Sequence, residues 1–141
     1  MRRRAMLFTA VAAIAALASP LAAQTIAKAN VPFDFQVLGR VLPAGEYTFA
    51  RQTPADNRSI RITGDEAAAY VGVSSVGSRV RAESGTVRLI FHCYENQYFL
   101  AAIEDGYRNA AFTLPQSTQE RELARAASVA RFETVSVLAQ R

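Results

Sequence analysis

The stretch LIFHCYENQYFLAAI, residues 89–103, sets His92 beside Cys93, and the chain holds no other histidine or cysteine. An imidazole next to a thiol could supply two kinds of chemistry. As base and nucleophile the pair would perform acyl transfer; as two ligands it would be half of a zinc site. Both require the side chains to converge. The pattern around them predicts a strand, on which neighbouring side chains point to opposite faces. Val87, Leu89, Phe91 and Cys93 then look one way, and Arg88, Ile90, His92 and Tyr94 the other. If Glu95-Asn96 is a two-residue hairpin loop, Cys93 lies across from Tyr98 and His92 across from Phe99. Cys93 is expected among Phe91, Tyr98 and Leu100, where a cysteine behaves as a small hydrophobe. The opposite face, with His92, Tyr94, Gln97 and Phe99, mixes polar and apolar groups and is the candidate binding face.

No other residues offer a better reaction centre. The chain contains no G-x-S-x-G elbow, H-E-x-x-H, C-x-x-C, P-loop, G-x-G-x-x-G or D-x-D-x-D-G loop. One histidine and one cysteine on opposite faces cannot assemble a structural zinc site. Acid pairs such as Asp34 and Glu46 could serve glycoside chemistry if they met in space, but the sequence singles out no pair. We therefore expect no enzyme, no metal and no cofactor, with a hydrolase built on His92 as the remote alternative.

The elements that must position these residues read mostly with a period of two. Val31, Phe33, Phe35 and Val37 share one face of a strand, and Pro32, which donates no ladder hydrogen bond, places that strand at an edge. Turns follow at Leu38-Gly39-Arg40 and Pro43-Ala44-Gly45. EYTFAR carries Tyr47 and Phe49 inward, and SIRIT carries Ile60 and Ile62. Gly64-Asp65 reads as a two-residue hairpin loop into AAAYVGVSSV. Residues 77–85, GSRVRAESG, read as a mobile loop; Asp105-Gly106 marks a turn before a short strand in YRNAAFTL. In PQSTQERELARAASVA the pattern changes. Ser117 and Glu120 have the spacing of a capping box, and Leu123, Ala126, Ala127 and Ala130 form an apolar stripe at helical spacing, predicting a helix docked by its small residues. ETVSVLA then reads as a closing strand. The expected fold is mainly β: an antiparallel sandwich, or a small closed or half-open barrel, of about seven or eight strands with one helix near the C-terminus.

The chain opens MRRRAMLFTAVAAIAALASPLAAQ, with three arginines, an alanine-rich apolar run, Pro20 and a small-residue end. This is the layout of a secretory signal peptide, cut after Ala23. Ala27-Lys28-Ala29 also has suitable spacing but lies far from the apolar run, and the run is too short and interrupted for a membrane span. Removal of residues 1–23 leaves a single domain of 118 residues, long enough to bury a core. Because that leader holds three basic residues and no acid, the formal charge of the remainder is +1 instead of +4. Nucleic acid is not an expected partner of so neutral a surface. A periplasmic or secreted location is expected, and one cysteine allows no intrachain disulfide.

VPFDFQVLGRVLPAGEYTF, LIFHCYENQYFL and STQEREL, in that order, resemble a group of small exported proteins from Acidobacteria and related soil bacteria. Two positions depart from the group's pattern: Cys93 stands where arginine is expected and Glu95 where glycine is expected. The resemblance implies export and a coherent fold and assigns no active site. Two functional readings stand beside the remote hydrolase. One is a non-catalytic β domain that binds another macromolecule or an envelope component; the other is a carrier of a small apolar ligand inside a barrel loosely similar to the calycins.

Overall fold

The computed structural model describes residues 24–52, 56–78, 80–126 and 133–140. The proposed leader, residues 1–23, and the stripe residues Ala127 and Ala130 lie outside them. Among the described residues ten strands precede one helix and an eleventh follows it, and the strands form two sheets. The first sheet is antiparallel: β1 (Gln24–Val31), β4 (Gly45–Arg51), β5 (Ser59–Gly64) and β6 (Ala68–Gly72), in the order β1-β4-β5-β6. The second is curled into a half-barrel. It runs β11 (Glu133–Ala139), β8 (Val87–Tyr94), β9 (Gln97–Asp105), β10 (Ala110–Thr113) and β7 (Ser75–Gly77), with the hairpin of β2 (Phe35–Val37) and β3 (Arg40–Leu42) added to β9. The helix α1 is Thr118–Ala126.

The strand count exceeds the seven or eight expected because several strands are three residues long and two runs are divided between sheets. The run through Val31 and Val37 is one such case. β1 pairs with β4 as far as Val31, residues 32–34 cross over, and β2 continues in the second sheet, parallel to β9 with Phe35 opposite Tyr98. Pro32, with no N–H to donate, sits where the ladder breaks. Phe33 is half-buried at this crossing, its ring stacked on Tyr98 at 3.8 Å and edge-on to Phe91 at 5.0 Å. The second divided run is β6–β7: Val73 N donates to Arg58 O at 2.6 Å on the first-sheet side, and Ser74 N to Thr113 O at 2.8 Å on the second. On the far side a single antiparallel bridge, Lys28 with Gln140, joins β1 to the chain just past β11.

Alternation fills the space between the sheets. Phe35, Phe49, Phe91, Phe112, Leu42, Ile60, Ile62, Leu89 and Ile103 are fully buried, and Phe35 meets Tyr47 and Phe91 edge-on at 5.1 and 5.5 Å, the geometry aromatic rings prefer. The turns show where sequence and backbone disagree. Gly64-Asp65 does not make a two-residue loop: Thr63 pairs with Ala68, so residues 64–67 form the connection, closed by Gly64 N donating to Ala67 O at 2.8 Å. Residues 80–86 are irregular and tied down at their end, where Gly106 N donates to Thr86 O at 2.7 Å. A side chain at Gly106 would drive into the carbonyl oxygens of Glu83 and Thr86, so the approach of these two backbones requires glycine there.

Leu38 carries a left-handed backbone, φ 47°, followed by Gly39 at φ 80°, and its side chain is half exposed. Both central residues of this β2–β3 loop have positive φ, which suits Asn-Gly and penalises leucine. Leu38→Asn is expected to raise stability by about 0.5–1 kcal/mol, read as a higher urea midpoint at unchanged slope; an unchanged or lower midpoint would count against the turn geometry.

Candidate functional site

The hairpin β8–β9 has the register expected from the sequence. Tyr94 pairs with Gln97, Cys93 with Tyr98 and His92 with Phe99. Glu95 and Asn96 take φ of 48° and 65°, so the primed two-residue turn forms even though glutamate replaces the glycine of the resembling group. A bulge at Ala101 shifts the ladder, pairing Phe91 with Leu100 and Ile90 with Ala102, and it restores the facing of the strand beyond. Cys93 is buried with the core-facing set, while His92 lies on the other face with a quarter of its side chain exposed. Alternation keeps the two apart. Among the described residues no group of three or more His, Cys, Asp or Glu side chains could hold a metal ion.

The partner that His92 does have was not legible as such. Its Nδ1 lies 3.1 Å from Oε1 of Glu120, the residue expected to complete a capping box. Half of that box forms: Ser117 Oγ accepts from Glu120 N at 3.1 Å, and Arg121 N donates to Ser117 O at 3.0 Å. The Glu120 carboxylate turns away from the helix start and onto the imidazole. A carboxylate accepts only, so the contact places a proton on Nδ1. Glu120 is 3% exposed and is the one buried residue of α1. Of the expected apolar stripe, Leu123 is half-buried and Ala126 exposed, and Ala127 and Ala130 lie outside the described residues. Among the described residues of α1 a charged side chain supplies the buried anchor.

The remaining members of the candidate face gather under the first turn of α1. Tyr94 and Phe99 are buried, with rings 5.9 Å apart, and Tyr94 meets the His92 ring edge-on at 6.3 Å. Burial, and then the Glu120 charge, push the Tyr94 phenol above its ordinary pKa. Gln97 Oε1 accepts from Gln119 of α1 at 3.2 Å and from Gln36 of β2 at 3.1 Å, so one amide links hairpin, helix and β2. Farther along the same face Arg88 and Glu104 approach to 3.7 Å. The structure thus brings His92, Tyr94, Gln97 and Phe99 together on one face, with Glu120 and Gln119 of α1 set against His92 and Gln97.

Three further polar features lie elsewhere. Arg51 is buried, donating through its guanidinium to Asn57 Oδ1 at 2.8 Å and to Gln24 Oε1. Asp56 is held below the usual carboxylate range by the Arg58 N–H and the Ser59 hydroxyl. On the outer face of β1, β4 and β5 a groove of about 590 Å³ is lined by Lys28, Asn30, Glu46, Thr48, Thr63 and Gln140, among others. Asp34 and Glu46 have separate roles: Asp34 Oδ1 accepts from Ala44 N at 2.9 Å in the turn before β4, and Glu46 lines the groove.

Comparison with protein-family models, with curated proteins and with solved structures gives no match. No helix among the described residues is long and apolar enough to cross a membrane.

The His92–Glu120 contact makes a stability prediction. Leaving a buried acceptor without its hydrogen-bond partner costs about 1–3 kcal/mol; Glu120 is buried and loses the His92 contact, so His92→Ala is expected to cost about 2 kcal/mol in urea unfolding. A double-mutant cycle with Glu120→Gln should show coupling of about 1 kcal/mol. Additive losses would mean the contact carries no energy.

Proposed function

We propose that this chain is an exported, non-catalytic β domain that binds another macromolecule or an envelope component through its outer surface. The observation that carries this reading is the filled interior. Four phenylalanines and the aliphatic side chains around them occupy the space between the sheets, where a carrier would need an apolar cavity of about 300 Å³ or more. The groove on the outer face opens to solvent and is lined by amides, hydroxyls and charges together with Ala29, Tyr47 and Leu138. His92 Nδ1 faces Glu120, and the cysteine lies on the opposite face of β8. The two therefore do not form a nucleophile–base pair with each other.

Export is supported by the layout of residues 1–23. A cut after Ala23 leaves the described residues Gln24–Val31 paired with β4. A cut after Ala29 would remove Ile26, Ala27 and Ala29, which are buried in the core. That contrast favours the first site on energetic grounds, since loss of buried strand residues is costly.

Native mass spectrometry of the full chain expressed through a bacterial export route tests this reading. The expected species begins at Gln24 and carries no adduct, and in the cells that produce it the protein sediments with envelope material. A co-purified lipid would favour the carrier, and retention of residues 1–23 would contradict export. Recovery solely as free soluble protein would contradict the binding role.

A further inference from the structure

We infer that Gln24, once a cut after Ala23 frees its amino group, closes onto its own side chain to give pyroglutamate, with Arg51 assisting the closure. The inference rests on the cleavage site proposed above and adds a covalent modification to it. Gln24 of β1 stands directly across from Arg51 of β4, so the two side chains leave the same face of the sheet. Arg51 is 5% exposed, and its guanidinium donates to Asn57 Oδ1 at 2.8 Å and to Gln24 Oε1. Its Nε has no hydrogen-bond partner, and no carboxylate among the described residues forms an ion pair with it. Buried cations are ordinarily matched by an anion. Here the partners are two neutral amides, and the positive charge stands uncompensated.

That charge bears on the chemistry of an amino-terminal glutamine. In the closure the α-nitrogen, as a neutral amine, attacks Cδ of its own side chain. A bond forms between Cδ and the α-nitrogen, negative charge gathers on Oε1 in the tetrahedral intermediate, and the Cδ–Nε2 bond then breaks. Nε2 leaves as ammonia, carrying one proton from the α-nitrogen, and Oε1 returns to a carbonyl, now that of a lactam. The step needs no oxidant, reductant or co-reactant. Oε1 is the atom to which Arg51 Nη2 donates, so the guanidinium stands where the charge develops. A charged donor already in place stabilises that charge without reorganisation. The same guanidinium disfavours a second positive charge close by, which favours the amine in its neutral, nucleophilic form. The product suits its place as well: the lactam carbonyl still accepts from Arg51, and the terminus has shed its charge beside an uncompensated buried cation.

Intact mass and a timed cleavage test the inference. Mature protein recovered from a bacterial export route is expected to be lighter by one ammonia than the chain of residues 24–141, and to resist stepwise degradation from its amino end. Any amino-terminal glutamine closes slowly by itself, so assistance by Arg51 is read as a rate. For this, residues 1–23 are replaced by a removable tag whose cut exposes Gln24 in the folded protein. Loss of ammonia is expected to be about tenfold faster in the folded chain than in the same chain held unfolded in guanidinium chloride. Arg51→Met is expected to slow the folded chain to the unfolded rate; if that variant does not fold, the ratio measured on the unaltered chain decides. Equal or slower closure in the folded chain, or a folded Arg51→Met variant that closes as fast as the unaltered one, would overturn the assistance. An exported protein that begins at an intact Gln24 would overturn the modification. Retention of residues 1–23 on export contradicts the cleavage reading alone, because the tag-released chain tests closure without any export.

Discussion

A side chain on a β-strand cannot share a face with its neighbour, and this constraint governs what the chain does with its few reactive groups. In β8 it sends Cys93 toward the core and His92 toward the outer face. The cysteine then packs as a small apolar residue in an interior built from phenylalanine and aliphatic side chains. The histidine, denied the sulfur, becomes available to whatever covers the other face. Among the described residues, Glu120 of α1 meets it there.

That arrangement helps to hold the helix in place. Among its described residues Glu120 is the buried one. A carboxylate on an imidazole, beside buried rings, supplies direction. Direction also fixes register: Glu120 meets His92 only with α1 in one rotation about its axis, as Gln119 reaches Gln97. The amide of Gln97 in turn accepts from Gln36, which couples the cover to the β2 crossing and so to the place where the chain passes from one sheet to the other.

How much of this was legible in the sequence follows from the range of each interaction. The β8–β9 hairpin was readable to the residue, because alternation and a two-residue loop are local, and the primed turn tolerates Glu95 at φ 48°. The inward set of β4 and β5 was readable for the same reason. The bend at Pro32 was visible only as an edge; that its two halves pair in different sheets depends on β9, more than sixty residues away. Ser117 and Glu120 were recognised at the right spacing, but the local rule assigned the carboxylate to its own helix, and the imidazole that captures it lies 28 residues earlier. That His92, Tyr94, Gln97 and Phe99 share one face was readable from alternation, and the contact of Glu120 with that face was not foreseen, since the apolar stripe suggested a different docking surface for α1.

Long-range proton–nitrogen NMR on the sole imidazole of the folded protein is the most direct measurement of the central claim. The account predicts a protonated Nδ1, ring contacts to Glu120 and Tyr94 side-chain protons, and no contact to the Cys93 side chain. A His92 ring in contact with the Cys93 side chain, or nitrogen shifts characteristic of a bound metal, would contradict it.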